Sequence, residues 1–529
     1  MSARPAAGPR RVVVIGGGLA GITAAIALAE AGAAVTLLEA RPRLGGATTS
    51  FNRGALVVDT GQHVFLRCCT AYRGLLARLG MTGSVRIQDR FDVTVLSPDG
   101  TAQLRRNTLP GPLHMGAALA RYPMLSLAER ARVTRAALAM RMLNPADPAL
   151  DTQRLGDWLA AHGQDERTRR VLWDLFTVSS LNIDGDDASL ALAATVVKTA
   201  LLGKRDAADI GVPLAPLGEL HGTAGLALLR RLGAEVRLGV KAAAVEVAGP
   251  ATAGAGRAGA DDGGPGQAGS GEAGSGEADA GEADAGEAGS GQAGLGGTVP
   301  GARYLVRLAR GEGDDAGPDS RGTIAADGVV IATPAYVAAK LVPAAAGVPS
   351  GTWRELGTSP IINAHVIYDR RVTRLPFAAA VDSPVQWLFD RTEISGFGAS
   401  GRGQYLAISL SAAEPYVDVP AAQLREMFVP ALAGLLPGAR DARVSEFFVT
   451  RERRATFRQG PGCGRLRPQA ATALPGLTLA GAWTDTGWPD TMEGAVRSGL
   501  NAAIELRRAL GPGGDSPVPG IGLRVGATA

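Results

Sequence analysis

A glycine-rich turn near the amino terminus constrains the fold of this chain more than any other feature. The sequence Gly-Gly-Gly-Leu-Ala-Gly at 16–21 follows a β-branched run at 11–15 and begins an alanine-rich run at 19–31. This order predicts a buried strand, a tight turn and a helix, and a second strand at 35–39 closes a βαβ unit. The fold class predicted from the turn is α/β, with a Rossmann-like parallel sheet.

The turn also has the spacing of a dinucleotide-binding motif. Gly16 permits the tight turn, Gly18 lets the backbone approach a pyrophosphate, and Gly21 lets the helix pack against the strand. Leu19 and Ala20 begin the helix, whose amino terminus offers free N–H groups and partial positive charge. These residues are therefore predicted to hold the phosphates of a dinucleotide.

An acid and a second glycine pair follow the predicted second strand. Glu39 ends that strand, where a carboxylate accepts hydrogen bonds from a ribose diol and disfavours the 2′-phosphate of NADP. Residues 39–46 resemble the EARxRxGG extension of the amine oxidase and phytoene desaturase flavoprotein superfamily. The resemblance implies an FAD cofactor whose ribose and pyrophosphate are flanked by this segment and the two residues after it, namely Glu39, Ala40, Arg41, Arg43, Gly45, Gly46, Ala47 and Thr48. Ala47 stands where the family often has arginine, and Thr48 is expected to replace that phosphate contact in part.

A stretch near the carboxyl terminus resembles the second FAD signature of the same superfamily. A strand is predicted over 477–481 and a helix over 492–510. The resemblance implies that this helix start stabilises charge on the reduced flavin. Ala482 replaces the usual acid, and Asp485 is expected to take over its contact with the ribityl chain. The other FAD contacts implied by the resemblance are Gly61, Gln62, His63, Ala242, Gly481, Thr491, Met492, Glu493 and Ala495. Two alternatives stay open for Trp483 and Trp488, which either wall the cavity or pack in the core.

Two segments resemble the hydroxysqualene dehydroxylases of hopanoid synthesis in particular. Asp59-Thr60-Gly61-Gln62-His63 is similar to their DNGQH segment, and residues 481–499 are similar to their GDWTxTGxPxTxEGAVRSG stretch. The resemblance implies that hydride from reduced FAD replaces the hydroxyl of hydroxysqualene, a C30 isoprenoid alcohol, to give squalene. His63 is the candidate catalytic group, with the alternative that it and Gln62 only hold the loop and contact the flavin. The electron donor that reduces FAD is unknown.

Other functions remain compatible with the same fold. A carotenoid- or phytoene-type desaturase would keep the cofactor and oxidise a polyene precursor. A flavin amine oxidase is a further alternative. A non-catalytic prenyl-lipid carrier, related to the Rab GDP-dissociation inhibitors, would lack a working flavin site.

The domain organisation is predicted to be discontinuous. An FAD-binding domain is expected over 1–90, 213–335 and 455–511, an inserted α+β substrate domain over 91–212 and 336–454, and a tail over 512–529. Residues 249–300 are of low complexity and are expected to be a disordered insertion. They separate strands predicted at 236–247 and 304–308, and so lengthen a hairpin connection. A strand at 324–333 is predicted to return to the parallel sheet, and 360–410 are predicted to form an antiparallel sheet.

Charge and cysteine content bear on partners and location. The net charge is +4, but residues 249–300 hold eight acids and one base, so the remaining chain carries +11. A helical pattern over 109–143 is predicted to be apolar on one side and arginine-rich on the other, which fits either an ordinary surface helix pair or a surface that rests on a bilayer. Three cysteines do not make a disulfide framework, so a cytoplasmic location is expected, with peripheral association at the membrane face as a possibility. Nucleic acid and metal are not expected, because basic blocks interleaved with aromatics and metal-ligand spacings are absent from the sequence.

Overall fold

The structure is a computed structural model. It describes residues 9–248, 302–309, 322–400 and 403–511. The insertion expected at 249–300 and the tail expected at 512–529 lie outside the described residues.

The described part of the chain contains both strands and helices. In chain order the strands are β1 (Arg11–Ile15), β2 (Ala34–Glu39), β3 (Ser50–Arg53), β4 (Leu56–Asp59), β5 (Phe65–Leu66), β6 (Val85–Ile87), β7 (Asp92–Ser97), β8 (Gly100–Arg105), β9 (Ile210–Pro213), β10 (Glu235–Leu238), β11 (Ala242–Val247), β12 (Tyr304–Leu308), β13 (Thr323–Ala326), β14 (Gly328–Ile331), β15 (Ser359–Tyr368), β16 (Phe377–Ala380), β17 (Trp387–Asp390), β18 (Gln404–Leu410), β19 (Val444–Thr456) and β20 (Leu477–Leu479). The α-helices are α1 (Leu19–Glu30), α2 (Thr70–Arg78), α3 (Gly116–Ala120), α4 (Leu127–Met142), α5 (Pro148–Asp151), α6 (Leu155–Ala161), α7 (Glu166–Thr168), α8 (Asp174–Leu181), α9 (Leu190–Val197), α10 (Ala224–Arg231), α11 (Ala335–Leu341), α12 (Ala421–Leu435) and α13 (Met492–Leu510). Shorter helical turns include Leu113–Met115, Arg169–Trp173, Lys198–Leu202, Gly218–Thr223 and Ser350–Leu356.

A five-stranded parallel sheet forms the centre of the fold, in the order β10-β2-β1-β14-β20. The βαβ unit predicted around the glycine turn is confirmed, because β1 and β2 pair in parallel and α1 connects them. Helix α1 is apolar on nearly every side and packs against α13. A Cβ added to Gly499 would lie 2.3 Å from the carbonyl oxygen of Ala20, so the two helices approach at backbone distance. The two ends of the chain that carry the FAD signatures are thereby brought together.

Two strand predictions are wrong in detail. The run at 236–247 forms two strands, β10 in the parallel sheet and β11 in a separate antiparallel sheet. The run at 324–333 likewise divides into β13 and β14 at Asp327, whose carboxylate accepts bonds from the backbone N–H of Arg11 at 2.8 Å and from its guanidinium at 2.9 Å. This ion pair fixes the bend, because it holds Asp327 at the start of β1. The predicted hairpin pairing across the insertion is confirmed, since β11 and β12 pair antiparallel.

A second, seven-stranded sheet has the order β19-β15-β18-β17-β16-β7-β8. It is antiparallel apart from the β16–β7 pair, in agreement with the prediction for 360–410. Helices α3 to α9 lie between β8 and β9 in the chain. The boundaries of the two expected domains stay a prediction. In the part of the chain that the structure describes, no helix has the length and apolar character needed to cross a bilayer.

Candidate active site

At two positions of the glycine turn after β1, the surrounding backbone leaves no room for a side chain. Gly16 has a φ of 107°, and a Cβ there would lie 2.4 Å from the carbonyl oxygen of Ala332. A Cβ at Gly21 would lie 1.8 Å from the carbonyl oxygen of Gly16. Only glycine fits these two positions, because any methyl group would overlap the backbone.

Gly18 differs from Gly16 and Gly21 because the space beside it is open. A Cβ there would meet nothing nearer than the Cα of Gly46 at 3.9 Å. Gly18 is the N-cap of α1, and the helix start has neither a side-chain cap nor an acid in its first turn. The first N–H groups, including those of Leu19 and Ala20, therefore lack a capping side chain. Open space beside uncapped donors suits a pyrophosphate, as the sequence analysis predicts.

Glu39 is oriented by two backbone donors. One carboxylate oxygen accepts a bond from Gly17 N–H at 2.7 Å, and the other accepts one from Arg41 N–H at 2.8 Å. Each oxygen keeps a second lone pair, which can accept a ribose hydroxyl. The segment that leads to Ala242 lies beside Glu39, because Val240 N–H donates to the Glu39 carbonyl at 2.9 Å. These residues lie together at the carboxyl end of β2, beside the exposed side chains of Ala40, Arg41 and Arg43.

The second glycine pair carries a loop over the first glycine turn. Gly45 and Gly46 have φ values of 116° and 58°, and Gly45 N–H donates to the Gly17 carbonyl at 2.8 Å. The Thr48 hydroxyl is buried and donates to the Gly45 carbonyl at 2.9 Å. The one hydroxyl proton of Thr48 is thus donated within the loop. The phosphate contact expected for Thr48 stays a prediction. Ala47 is exposed.

The second signature follows β20 and begins α13. Gly481 has a φ of 137°, and its N–H donates to the Ser498 hydroxyl at 2.8 Å. Thr491 is the N-cap of α13, and its hydroxyl accepts a bond from Gly494 N–H at 3.2 Å. Asp485 accepts bonds from the Gln469 side chain at 2.8 Å and from Gly487 N–H at 3.2 Å, so it braces the loop. Met492 and Ala495 are partly buried in the first turn of the helix.

The two tryptophans of this signature have different surroundings. Trp483 is buried, donates its indole N–H to the Thr333 carbonyl at 2.9 Å, and lies 4.7 Å from Trp353 between ring centres. Trp488 is partly buried beneath the guanidinium of Arg497, at 4.6 Å. Core packing therefore describes Trp483, whereas Trp488 is covered by a cation.

Glu493 has a positioning role that the sequence did not reveal. Its carboxylate accepts bonds from Ala71 N–H at 3.1 Å and Tyr72 N–H at 2.8 Å, and it pairs with Arg497 at 2.8 Å. It therefore caps α2 from a position 422 residues away in sequence. Glu493 therefore joins the start of α13 to the start of α2, which is a structural role.

His63 is predicted as the candidate catalytic group, and its hydrogen bond defines its tautomer. Its Nδ1 lies 3.1 Å from the Gly61 carbonyl oxygen, which can only accept a bond. The proton of the neutral ring is therefore on Nδ1, and Nε2 carries a lone pair. Burial lowers the pKa of His63 below its usual value, so the ring is neutral near pH 7. His63 is thus suited to accept a hydrogen bond rather than to donate a proton.

A buried ion pair next to His63 was missed by the sequence analysis. Asp59 pairs with Arg391 from the end of β17, and also accepts bonds from the Ser50 hydroxyl at 2.6 Å and Leu217 N–H at 3.0 Å. Both partners are almost fully buried. The pair ties the segment that carries Gly61, Gln62 and His63 to the seven-stranded sheet.

Two buried acceptors near this pair lack a partner. Among the described residues, Gln62 Oε1 and Asn363 Oδ1 are buried without a hydrogen bond. Asn363 Nδ2 meanwhile donates to the Thr60 carbonyl at 3.4 Å. An N–H or O–H of a ligand would satisfy these oxygens, which is consistent with the FAD contact predicted for Gln62.

Arg467 was also missed, and it shapes the loop of the second signature. Its buried Nη2 donates to the carbonyl oxygens of Ala482 at 3.1 Å, Thr484 at 2.6 Å and Trp488 at 2.8 Å. This loop has no regular secondary structure to satisfy those carbonyls. No local sequence signal could have found Arg467, because it lies upstream of the motif and acts at a distance.

Asp490 was missed as well. One carboxylate oxygen accepts a bond from Phe457 N–H at 3.0 Å, and its own N–H donates to the Gln459 side chain at 2.9 Å. Burial raises the pKa of Asp490 to about 6. Its sequence signal was an acid between Pro489 and Thr491, two residues before the start of α13. The result is a carboxyl group able to carry a proton beside the second FAD signature.

The fold and this site define an FAD-dependent oxidoreductase. The family described as flavin containing amine oxidoreductase matches residues 19–252 and 303–507. The chain therefore belongs to that family. Along 95% of this chain and 99% of the relative, it is 28% identical to hydroxysqualene dehydroxylase of Rhodopseudomonas palustris. It is 23% identical to zeta-carotene desaturase of Zea mays over 94% of this chain and 84% of the relative. Wild-type putrescine oxidase bound to putrescine has the same fold, with a TM-score of 0.63 and 15% identity over 94% of this chain and 99% of that structure.

Proposed function

We propose that this protein catalyses the reductive dehydroxylation of hydroxysqualene to squalene. The observation that carries the proposal is the similarity to hydroxysqualene dehydroxylase along nearly the whole length of both chains. The resemblance of residues 59–63 and 481–499 to segments of those enzymes supports it, because both segments adjoin the predicted flavin site.

The reaction requires a proton as well as a hydride. Reduced FAD supplies the hydride when bound. The C–O bond of the substrate breaks and a C–H bond forms, so the hydroxyl must leave as water, and an acid has to protonate it. Asp490 is the group we assign to this proton transfer, since it lies directly before the Thr491 cap of α13, within the second FAD signature, and burial raises its pKa to about 6.

The other residues bind and orient. The uncapped start of α1 and the carboxylate of Glu39 would hold the pyrophosphate and ribose of FAD. His63 would accept a hydrogen bond through Nε2, because its Nδ1 proton is engaged by Gly61. Arg467 and the Asp59–Arg391 pair hold the two loops that carry these groups.

The alternative reaction, a carotenoid-type desaturation, removes hydrogen and has no leaving hydroxyl. It therefore needs no protonated carboxyl at the position of Asp490. The two reactions also differ in the flavin state that starts them, since desaturation begins with oxidised FAD.

The test is an anaerobic incubation of the purified, reduced enzyme with hydroxysqualene in D2O, with products identified by mass spectrometry. We expect squalene that carries one deuterium, because exchangeable flavin hydrogens are replaced by deuterium before transfer. Asp490→Asn should retain FAD and form squalene far more slowly. Polyenes formed from squalene by the oxidised enzyme, with no product from hydroxysqualene, would instead establish the desaturase.

A further inference from the structure

We propose that the outward face of α4 is a docking surface for an anionic lipid bilayer. Exposed apolar side chains are unusually concentrated in this part of the molecule. Of nine large apolar side chains that are exposed among the described residues, five belong to residues 109–142: Leu109, Leu113, Leu127, Leu138 and Met142.

Helix α4 has two apolar faces, which corrects the prediction of a single one. Val133, Ala136 and Met140 form the buried face. Leu127, Leu138 and Met142 are 80%, 54% and 83% exposed. At about 100° per residue, these three lie within roughly 60° of one another and on the side opposite the buried face. The helix therefore presents an outward stripe made of these three side chains and Ala131, with Thr134 at its edge.

Arginines flank this outward stripe instead of occupying it. By the same helical spacing, Arg135 and Arg132 lie on one side of the stripe, and Arg141 and Arg130 lie on the other. Within the described residues, the ion pairs made by α4 are Arg132–Asp165 at 3.1 Å and Arg167–Glu129 at 3.8 Å. Neither pair involves Arg135 or Arg141, whose charges remain available to lipid phosphates.

Neighbouring segments extend the surface at the carboxyl end of α4. Lys198 donates to the carbonyl of Leu143, and Arg205 donates to the carbonyl of Thr108 at 2.9 Å. These contacts join α4 and the segment of Leu109 to the helical turn Lys198–Leu202. The exposed Lys204 and Arg205 follow that turn and add positive charge.

A bilayer fits this chemistry better than a second copy of the chain. An apolar stripe flanked by arginines is the pattern of a helix that lies in the lipid interface, with its long cationic side chains reaching up to the phosphates. A symmetric dimer through the same face would bring Arg135 and Arg141 of one copy close to those of the other. Like charges would then be opposed across the contact, whereas anionic lipid neutralises them.

The test is flotation of the FAD-loaded protein with vesicles of phosphatidylcholine alone or of phosphatidylcholine with phosphatidylglycerol. We expect flotation with the anionic vesicles, which weakens as salt is raised. The triple variant L127Q/L138Q/M142Q should lose at least about tenfold in vesicle affinity, because it removes the inserted apolar area. R135E/R141E should lose binding to the anionic vesicles mainly at low salt.

Matched controls use exposed residues elsewhere in the structure. L214Q/M427Q removes exposed apolar side chains distant in sequence from α4, and R425E reverses an exposed charge on α12. Both should float like the wild type. Turnover of hydroxysqualene in detergent, together with thermal unfolding, shows separately that each variant is folded, and it tests the proposed function independently of the surface.

Four outcomes would overturn the proposal. The wild type could stay at the bottom of the gradient with anionic vesicles at low salt. The triple variant could float as well as the wild type, or the controls could lose binding to the same degree. A wild-type dimer in sedimentation without vesicles, converted to monomer by the triple variant, would assign the face to a second copy of the chain.

Discussion

The contrast between Gly18 and Gly21 leads to a sharp prediction for alanine substitution. At Gly21 the new methyl group would lie 1.8 Å from a carbonyl oxygen, an overlap that we expect to cost at least about 3 kcal/mol of folding free energy. At Gly18 the methyl group would meet no atom nearer than 3.9 Å, and the φ of −77° suits alanine. Loss of a glycine N-cap costs roughly 1 kcal/mol, and reduced freedom of the unfolded chain offsets part of it. Gly18→Ala should therefore fold almost normally.

The same methyl group should impair FAD binding, because it occupies the space predicted for the pyrophosphate. Displacing two charge-assisted N–H bonds to phosphate would cost about 3 kcal/mol, or about 100-fold in Kd. The assays are titration of the apoprotein with FAD, followed by absorbance, and urea unfolding of each apoprotein.

Gly74→Ala is the matched control, since a Cβ there likewise has open space, with nothing within 4 Å, but lies in α2. It should bind FAD like the wild type. An unchanged FAD Kd in Gly18→Ala would show that the pyrophosphate does not lie against Gly18. Wild-type stability of Gly21→Ala would refute the packing argument.

Three further predictions concern residues that the sequence analysis missed. The pKa of Asp490 is raised to about 6 from an ordinary 3.8, so the folded state keeps a proton that the unfolded chain releases. Stability from that proton should be lost as pH rises from about 4 to 6, and the dehydroxylation rate should fall above pH 6. Asp490→Asn should abolish both trends in urea titrations and rate profiles; an unchanged rate profile would remove Asp490 from the chemistry. Arg467→Lys should lower FAD occupancy, read from the ratio of flavin to protein absorbance, because lysine lacks the planar fork that serves several carbonyls. Full occupancy would show that the loop holds without it. Arg391→Met should destabilise the protein by about 3–5 kcal/mol by leaving Asp59 buried and unpaired, and adding Asp59→Asn should recover part of the loss. Additive losses in urea unfolding would contradict a coupled pair.

Sequence patterns correctly predicted the helices whose first residues are set by their neighbours in sequence. The helix expected over 19–31 is observed as Leu19–Glu30, and that expected over 492–510 has the same bounds in the structure. Each helix begins next to the feature that starts it. For α1 this is the glycine turn, and for α13 it is the Thr491 cap.

Contacts between distant residues could not be predicted in this way. Glu493 caps α2, Arg391 meets Asp59, and Arg467 gathers the carbonyls of a loop, yet none of these partners is adjacent in sequence. Helix α4 was assigned one apolar face because its pattern does not reveal which side is covered by the rest of the protein. The division of the run at 324–333 likewise depends on an ion pair to Arg11.

The bond from Glu493 to the start of α2 has a consequence for how the protein is made. During synthesis the glycine turn, β1 and α1 leave the ribosome several hundred residues before β20 and α13. Until then the parallel sheet lacks one edge strand, α1 lacks the helix that covers it, and α2 lacks its cap. The nascent polypeptide should thus be unable to retain its flavin, and loading should follow release of the finished chain.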